Sequence, residues 1–212
     1  MAVEIKWYGH ASFRISDGTH VVYIDPWKLP EAPHDADAIF VSHSHYDHCS
    51  KPDVEKASKA DTAVVAPADT IKKLKATNAI TPGEHLSIKD ITIEGVAAYN
   101  VGKEFHPRGH NRCGAVITIG GKRIYYAGDT DLIPEMSDLK DVDVALLPVG
   151  GTYTLNAAEA ARACKAVGCK AAIPYHWGDI IGSEADAKAF ADAAGCRVHV
   201  LAPGDSVSVN NG

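Results

Sequence analysis

The feature that most constrains this chain is a dense group of metal-ligand side chains directly behind an apolar run. Residues 38–41 read Ala-Ile-Phe-Val without a polar interruption, as in a strand that is buried on both faces. His43, His45, Asp47 and His48 follow, so three imidazoles and one carboxylate lie within six residues. Side chains two apart on extended backbone point to the same side, so His43 and His45 can share one ion, and a turn beyond them can direct the other two to a second position. Imidazole with carboxylate suits zinc, iron or manganese, so this segment predicts a metal site.

The rest of the chain predicts a layered α/β fold around this strand end. Predicted strands cover residues 3–8, 12–15, 21–25, 38–41, 63–66, 85–99, 115–119, 122–127, 142–149, 171–174, 198–201 and 206–209. Predicted helices cover residues 69–76, 156–167 and 183–194, and the last two begin with capping-box spacings. Strands come first and helices then alternate with strands, roughly once in each half, which favours helices outside two sheets. We expect a single domain over residues 1–212, with the histidine cluster in the crevice beyond the strand ends.

Composition and charge exclude several classes of partner. The formal net charge of −6 argues against a whole-surface attraction to nucleic acid. No apolar run approaches the ~18 residues that a membrane span requires, and the N-terminus lacks the basic-then-apolar pattern of a signal peptide. We therefore expect a cytoplasmic protein without nucleic-acid or membrane partners, and a homo-oligomer stays open.

The five cysteines are Cys49, Cys113, Cys164, Cys169 and Cys196. Their number is odd, and no pair has the two-residue spacing of a zinc knuckle or a redox motif. The sequence therefore predicts reduced thiols, as in a cytoplasmic protein.

The motif His43-x-His45-x-Asp47-His48 resembles the signature of the metallo-β-lactamase superfamily. Weaker motifs extend the likeness over nearly the whole chain: Tyr8-Gly9-His10, Ile24-Asp25-Pro26, Ile124-Tyr125-Tyr126-Ala127-Gly128-Asp129-Thr130, Leu147-Pro148-Val149-Gly150-Gly151 and Ile173-Pro174-Tyr175-His176. The first two of these are similar to the opening strands of an uncharacterised hydrolase branch related to L-ascorbate-6-phosphate lactonase. The resemblance implies the four-layer αββα sandwich of the metallo-β-lactamase fold, within the α/β class.

The resemblance also implies a binuclear site for two divalent metal ions, zinc in the first place and manganese or iron as alternatives. Its implied metal ligands, apart from one further histidine, are His43, His45, Asp47, His48, Asp129 and His176. The first two would bind one ion, the next two and His176 the other, and Asp129 would bridge them. Asp47 and Asp129 are the expected catalytic residues. Taken alone, Asp129 could merely turn a hairpin, and His176 could bond to backbone at a strand end.

One position departs from the family pattern. Related hydrolases place a histidine after the strand that here ends in Tyr99, but this chain has Asn100, a poor zinc ligand. His106 or His110 could fold back to fill the position, or the site could lack a third histidine. We favour His106, because Pro107 stiffens the backbone beside it.

Several other side chains have two interpretations each. Asp25 is expected behind the metal ligands, where its carboxylate would hold an imidazole by a hydrogen bond. His10 could line the pocket or be structural. Lys103, Arg108 and Arg112 could bind a phosphate or carboxylate, or form a solvated basic loop. The aromatic residues Trp27, Tyr46, Tyr153 and Trp177 could form pocket walls or pack in the interior.

The function implied by the resemblance is hydrolysis of an ester-like bond, a lactone or a phosphodiester, in a small anionic substrate. A hydroxide held between the two ions would be the nucleophile, and Asp47 could orient the water or pass its proton to the leaving group. Two alternatives stay open: a di-iron protein that reduces oxygen or nitric oxide, and a metal-stabilised module without turnover.

Overall fold

The computed structural model describes residues 2–74 and 76–210, and its strands form two sheets of seven strands each. The first sheet has the order β14-β1-β2-β3-β4-β5-β6. Its strands are β1 (Val3–Gly9), β2 (Ser12–Ser16), β3 (Val21–Ile24), β4 (Ala36–Phe40), β5 (Ser58–Ala66), β6 (Asn78–Ala79) and β14 (Ser206–Val209). Neighbours are antiparallel from β14 to β3 and parallel from β3 to β6.

The second sheet has the order β13-β12-β11-β10-β9-β8-β7. Its strands are β7 (His85–Ile88), β8 (Ile91–Ala97), β9 (Cys113–Ile119), β10 (Lys122–Tyr126), β11 (Val144–Pro148), β12 (Ala171–Tyr175) and β13 (Arg197–Val198). Neighbours are antiparallel from β7 to β10 and parallel from β10 to β13. The predicted hairpin around Gly120-Gly121 is the turn between β9 and β10.

Helices cover the outer faces of both sheets. In the described part of the chain the α-helices are α1 (Lys51–Ala57), α2 (Ala68–Leu74), α3 (Ala157–Val167) and α4 (Glu184–Ala193). The first two contact β4 to β6, and the last two contact β11 and β12. Both predicted capping boxes are present, formed by Asn156 with Glu159 and by Ser183 with Asp186. The four-layer αββα sandwich is therefore confirmed.

The main core lies between the sheets. Its largest side chains come from alternate positions of facing strands, including Trp7, Phe13, Tyr126 and Tyr175, all essentially without solvent exposure. A second apolar cluster packs the first sheet against α1 and α2. Among the described residues, no helix is long and apolar enough to cross a membrane.

Some elements differ from the prediction. Strand β4 begins at Ala36 and so contains Asp37, a buried charge whose carboxylate accepts hydrogen bonds from Val21 N, Lys59 Nζ and Lys89 Nζ. Helix α1 was not predicted, because its seven residues with an early proline are too short to show a 3.6-residue period. The predicted strand at 198–201 is reduced to β13, which pairs with β12 through two residues only.

Candidate metal centre

The side chains of the predicted site are carried by loops at the carboxyl ends of strands from both sheets. Asp25 follows β3, and the segment 42–48 follows β4 in the first sheet. Asp129 follows β10, and His176 follows β12 in the second sheet. Because parallel strands end at one edge of a sheet, the fold brings these loops together in one crevice.

Asp129 stands at the middle of the cluster. Its Oδ1 lies 3.4 Å from His48 Nε2 and 3.3 Å from His176 Nε2. Its Oδ2 lies 3.9 Å from His43 Nε2 and 3.4 Å from His106 Nε2. The two oxygens of one buried carboxylate thus face two different pairs of imidazoles, which is the arrangement expected of a bridging ligand.

The surrounding ligand atoms form two groups. One consists of His43, His45, His106 and Asp129, and the other of His10, Asp47, His48 and His176. Within each group, the candidate ligand atoms all lie within 4.8 Å of one another. The structure thus brings together all seven of the metal ligands expected from the sequence, and it adds His10.

These residues fit divalent metal ions for a physical reason. His48 Nε2, His106 Nε2, His176 Nε2 and Asp129 Oδ1 are buried without a hydrogen-bond partner. Leaving such atoms buried and unpaired costs about 1–3 kcal/mol each. Their lone pairs converge on the space around Asp129, where metal ions would bind them.

Asp25 organises the base of the cluster, as expected. Its Oδ2 lies 2.7 Å from His48 Nδ1 and accepts the hydroxyl of Tyr126 at 2.6 Å. Its Oδ1 accepts the backbone N–H of Ser42 at 2.7 Å, and Ser42 Oγ lies 2.9 Å from His43 Nδ1. Both imidazoles are therefore held through Nδ1, which directs Nε2 into the cluster. Nε2 of His48 has no hydrogen-bond partner there, and Nε2 of His43 lies 3.1 Å from His45 Nδ1.

Asn100 has a similar role toward His106. Asn100 Oδ1 accepts the backbone N–H of His106 and lies 3.0 Å from its Nδ1. The amide nitrogen of Asn100 is bonded in turn to Asp131 Oδ1 and to the carbonyl of Tyr153. The asparagine at the position of the missing histidine thus directs Nε2 of His106 toward Asp129. His110 lies exposed in the 3₁₀ turn Arg108–His110, away from the cluster.

His10 and Tyr126 contribute in ways that the sequence did not reveal. His10 Nε2 lies 2.9 Å from Asp47 Oδ2, and its ring centroid is 4.1 Å from that of His176. It is buried beside the cluster and does not line the cavity above it, so its role in the pocket stays a prediction. The only signal available in the sequence was their position in the motifs. His10 follows Gly9, and Tyr126 lies three residues before Asp129.

The electrostatics of most of these groups suit metal binding. The exception is His48, whose pKa Asp129 and Asp25 raise well above its ordinary value despite burial, so that ring must lose a proton when a metal binds. Burial lowers the pKa of His43 well below its ordinary value and that of His106 to about 4, so both rings are neutral at pH 7. Burial would raise the pKa of Asp47, but the hydrogen bond from His10 outweighs it and lowers the pKa to about 2. Likewise, His176 and His48 hold the pKa of Asp129 well below its ordinary value despite burial. Neutral imidazoles and ionised carboxylates are the forms that bind metals.

A cavity of about 600 Å³ opens above the cluster. Tyr46 and Tyr153 line it, as expected of pocket walls, but Trp27 and Trp177 line a smaller cavity on the far side of His10. Trp177 packs on Trp7 with ring centroids 4.9 Å apart, so the packing interpretation applies to it.

The three cations expected near the uncertain histidine are engaged elsewhere. Lys103 Nζ donates to Asp131 and to the carbonyls of Gly151 and Thr154. Arg108 pairs with Glu135, and Arg112 donates to the carbonyl of Phe105. None of the three lines the metal cavity, whereas Lys73 does. The contacts of these three cations stabilise the loop around His106. They give no support to the phosphate-binding interpretation.

The family follows from the comparison with known proteins. A family model described as a beta-lactamase superfamily domain matches residues 4–176. The chain belongs to this superfamily. A UPF0173 metal-dependent hydrolase of Symbiobacterium thermophilum is 32% identical over 98% of this chain and 100% of its own length. The resemblance to the metallo-β-lactamase superfamily and its metal-dependent hydrolase branch is thereby confirmed, and kinship with the lactonase stays a prediction.

Solved structures agree with this assignment. A proposed metal-dependent hydrolase from Parabacteroides distasonis has a TM-score of 0.82 and 33% identity, and the match covers 93% of this chain and 92% of that one. A metallo hydrolase from the archaeon Ignicoccus hospitalis has a TM-score of 0.82 over 100% of both chains, and at 24% identity it supports the fold alone. This superfamily member is thus an enzyme of the metal-dependent hydrolase class, as expected.

Proposed function

We propose that this chain hydrolyses an ester-like bond, a lactone or a phosphodiester, in a small molecule at a binuclear centre that holds two divalent ions, zinc in the first place. The observation that carries the proposal is the position of Asp129, whose two oxygens face two separate groups of imidazoles. His43, His45 and His106 would hold one ion, and Asp47, His48 and His176 the other. Bound there, such ions lower the pKa of water to about 7 and polarise the substrate oxygen.

The chain's own residues position the reactants and move a proton. Asp47 borders the cavity and keeps its carboxylate ionised through His10 Nε2 at 2.9 Å. In that state it can accept a proton from the attacking water and return it to the leaving group. Asp25 and Asn100 fix the imidazole rings, so the ligand geometry needs little reorganisation during the reaction.

The mouth of the cavity indicates the kind of substrate. Tyr46, Phe105 and Ile180 line it and are 69%, 45% and 47% exposed, which is unusual for large apolar side chains. Lys73, whose Nζ donates to the carbonyl of Ser44 at 3.0 Å, adds an ammonium group to the same wall. We therefore propose a substrate with an apolar group beside the reacting bond and a negative charge that reaches Lys73.

The test uses metal-free protein reconstituted with zinc and two matched γ-lactones, one with a hexyl chain and one without, together with bis(4-nitrophenyl) phosphate. We expect hydrolysis of at least one class by the parent protein and not by the Asp129→Ala variant. The control variant Asp90→Asn changes a carboxylate whose side chain is 92% exposed, and it should keep full activity. Equal rates for the parent and Asp129→Ala on every compound would overturn the proposal.

A second variant tests the apolar mouth. Phe105→Ala should raise KM for the hexyl lactone about tenfold, because the chain loses an apolar contact, and it should leave KM for the short lactone unchanged. Val200→Ala, which shortens an exposed side chain outside the cavity, should change neither value. Equal KM changes for both lactones would show that Phe105 supports the loop and not the substrate.

A further inference from the structure

Three of the five cysteines converge at one place. Cys164 lies in the last turn of α3, Cys169 lies two residues before β12, and Cys196 directly precedes β13. The Sγ atoms of Cys164 and Cys196 are 2.6 Å apart, and that of Cys169 is 3.4 Å from Cys164 and 3.9 Å from Cys196. The spacing of the cysteines along the sequence gave no sign of this cluster, because only the fold brings Cys196 to the other two.

The thiol cluster is separate from the metal centre. Strands β12 and β13 are parallel, so the residues that precede them lie at the same edge of the sheet. His176 follows β12 and therefore lies at the opposite edge. Five strand residues separate the two edges, a distance of about 16 Å at the usual rise per residue.

The geometry favours a covalent bond over a shared metal ion. Two sulfurs bound to one tetrahedral zinc lie about 3.8 Å apart, since each Zn–S bond is about 2.3 Å. Cys164 and Cys196 are closer than that, and Cys169 is the thiol that lies outside the pair. We propose that Cys164 and Cys196 are a thiol–disulfide site, which is oxidised by a small-molecule disulfide while Cys169 stays reduced.

The proposed reaction is a thiol–disulfide exchange in two steps. Cys196 is the more exposed of the two, and its thiolate attacks one sulfur of the small-molecule disulfide RSSR, displacing RS⁻. Cys164 then attacks the Cys196 sulfur of this mixed disulfide and displaces the second RS⁻. The two cysteines lose two protons and two electrons, and RSSR is reduced to two RSH.

The bond would close a loop between positions 32 residues apart, which contains β12 and α4. A cross-link of this length reduces the conformational freedom of the unfolded chain and so stabilises the fold. Because burial raises the pKa of Cys196 to about 12, the thiolate is scarce at neutral pH and the reaction is slow.

The experiment incubates the protein with oxidised glutathione at pH 8.5 for several hours and then alkylates the free thiols. Trypsin places the three cysteines on separate peptides, since it cleaves after Arg162, Lys165, Lys170, Lys188 and Arg197. We expect peptide 163–165 linked to peptide 189–197, loss of two of the five titratable thiols, and a Tm several degrees above that of the reduced protein.

Two variants make the result specific. Cys169→Ser should still form the link, whereas Cys196→Ser should lose both the link and the rise in Tm. A link through Cys169, oxidation of Cys49 or Cys113 in its place, or five free thiols after incubation would overturn the proposal. So would a metal ion that is released only when these three thiols are modified.

Discussion

Asn100 and His106 show how one side chain can set the chemistry of another. The amide oxygen of Asn100 is bonded to the backbone and to Nδ1 of His106, so the Nε2 lone pair has one direction, toward Asp129. Outer partners of this kind typically contribute 10–100-fold to metal affinity. The asparagine therefore replaces the expected histidine in position but not in role.

Zinc affinity should depend on both residues of this pair. His106→Ala should lower zinc affinity by at least about 100-fold, because it removes a metal ligand. Asn100→Ala should lower it by roughly 10–100-fold, because the imidazole of His106 is then no longer held in orientation. His110→Ala, four residues along the same loop, should have no effect, since that side chain is exposed outside the cluster. Competition with a chromogenic chelator measures the three affinities. Loss of zinc binding in His110→Ala with retention in His106→Ala would reverse the assignment.

At the scale of secondary structure, Asp37 explains how the apolar strand β4 accommodates a charge. Burial would raise the pKa of this carboxyl, but the ammonium groups of Lys59 and Lys89 and the N–H of Val21 outweigh it and lower the pKa to about 2. The ion pairs join β4 to its neighbour β5 and to the turn after β7.

Asp37→Asn should therefore lower the free energy of unfolding by about 2 kcal/mol at pH 7. The carboxyl contributes this stability above its unfolded pKa of 3.8 and loses it as pH falls toward about 2. The difference between parent and variant should thus be equal at pH 7 and pH 5 and clearly smaller at pH 3. Urea unfolding of the metal-free proteins measures it, with Asp90→Asn as the exposed control. A constant difference down to pH 3 would mean that the carboxyl's packing, and not its charge, is responsible.

Elements with a strong local signal could be predicted from the sequence, and the others could not. The capping boxes at Asn156 and Ser183 and the apolar run 38–41 are properties of neighbouring residues, so they were visible before folding. Helix α1 and strand β6 are too short to carry a period, and tertiary packing decides them.

At the scale of the whole molecule, the same distinction applies to the site. The segment 43–48 is contiguous, and it predicted the metal centre by itself. The contacts of His10 with Asp47 and of Tyr126 with Asp25 join residues 37 and 101 positions apart, so only the closing of the two sheets creates them. The convergence of Cys196 with Cys164 is likewise a product of the fold.

Metal stoichiometry most directly tests the proposed role of Asp129 in joining two metal positions. Demetallated protein should be titrated with zinc at pH 7.5 and, after removal of free metal, measured by plasma mass spectrometry. We expect about two equivalents per chain for the parent and for Asp90→Asn, and one or none for Asp129→Ala with an unchanged circular dichroism spectrum. A parent protein that binds no zinc, manganese or iron under these conditions, or an Asp129→Ala variant that still binds two equivalents as tightly, would contradict the account.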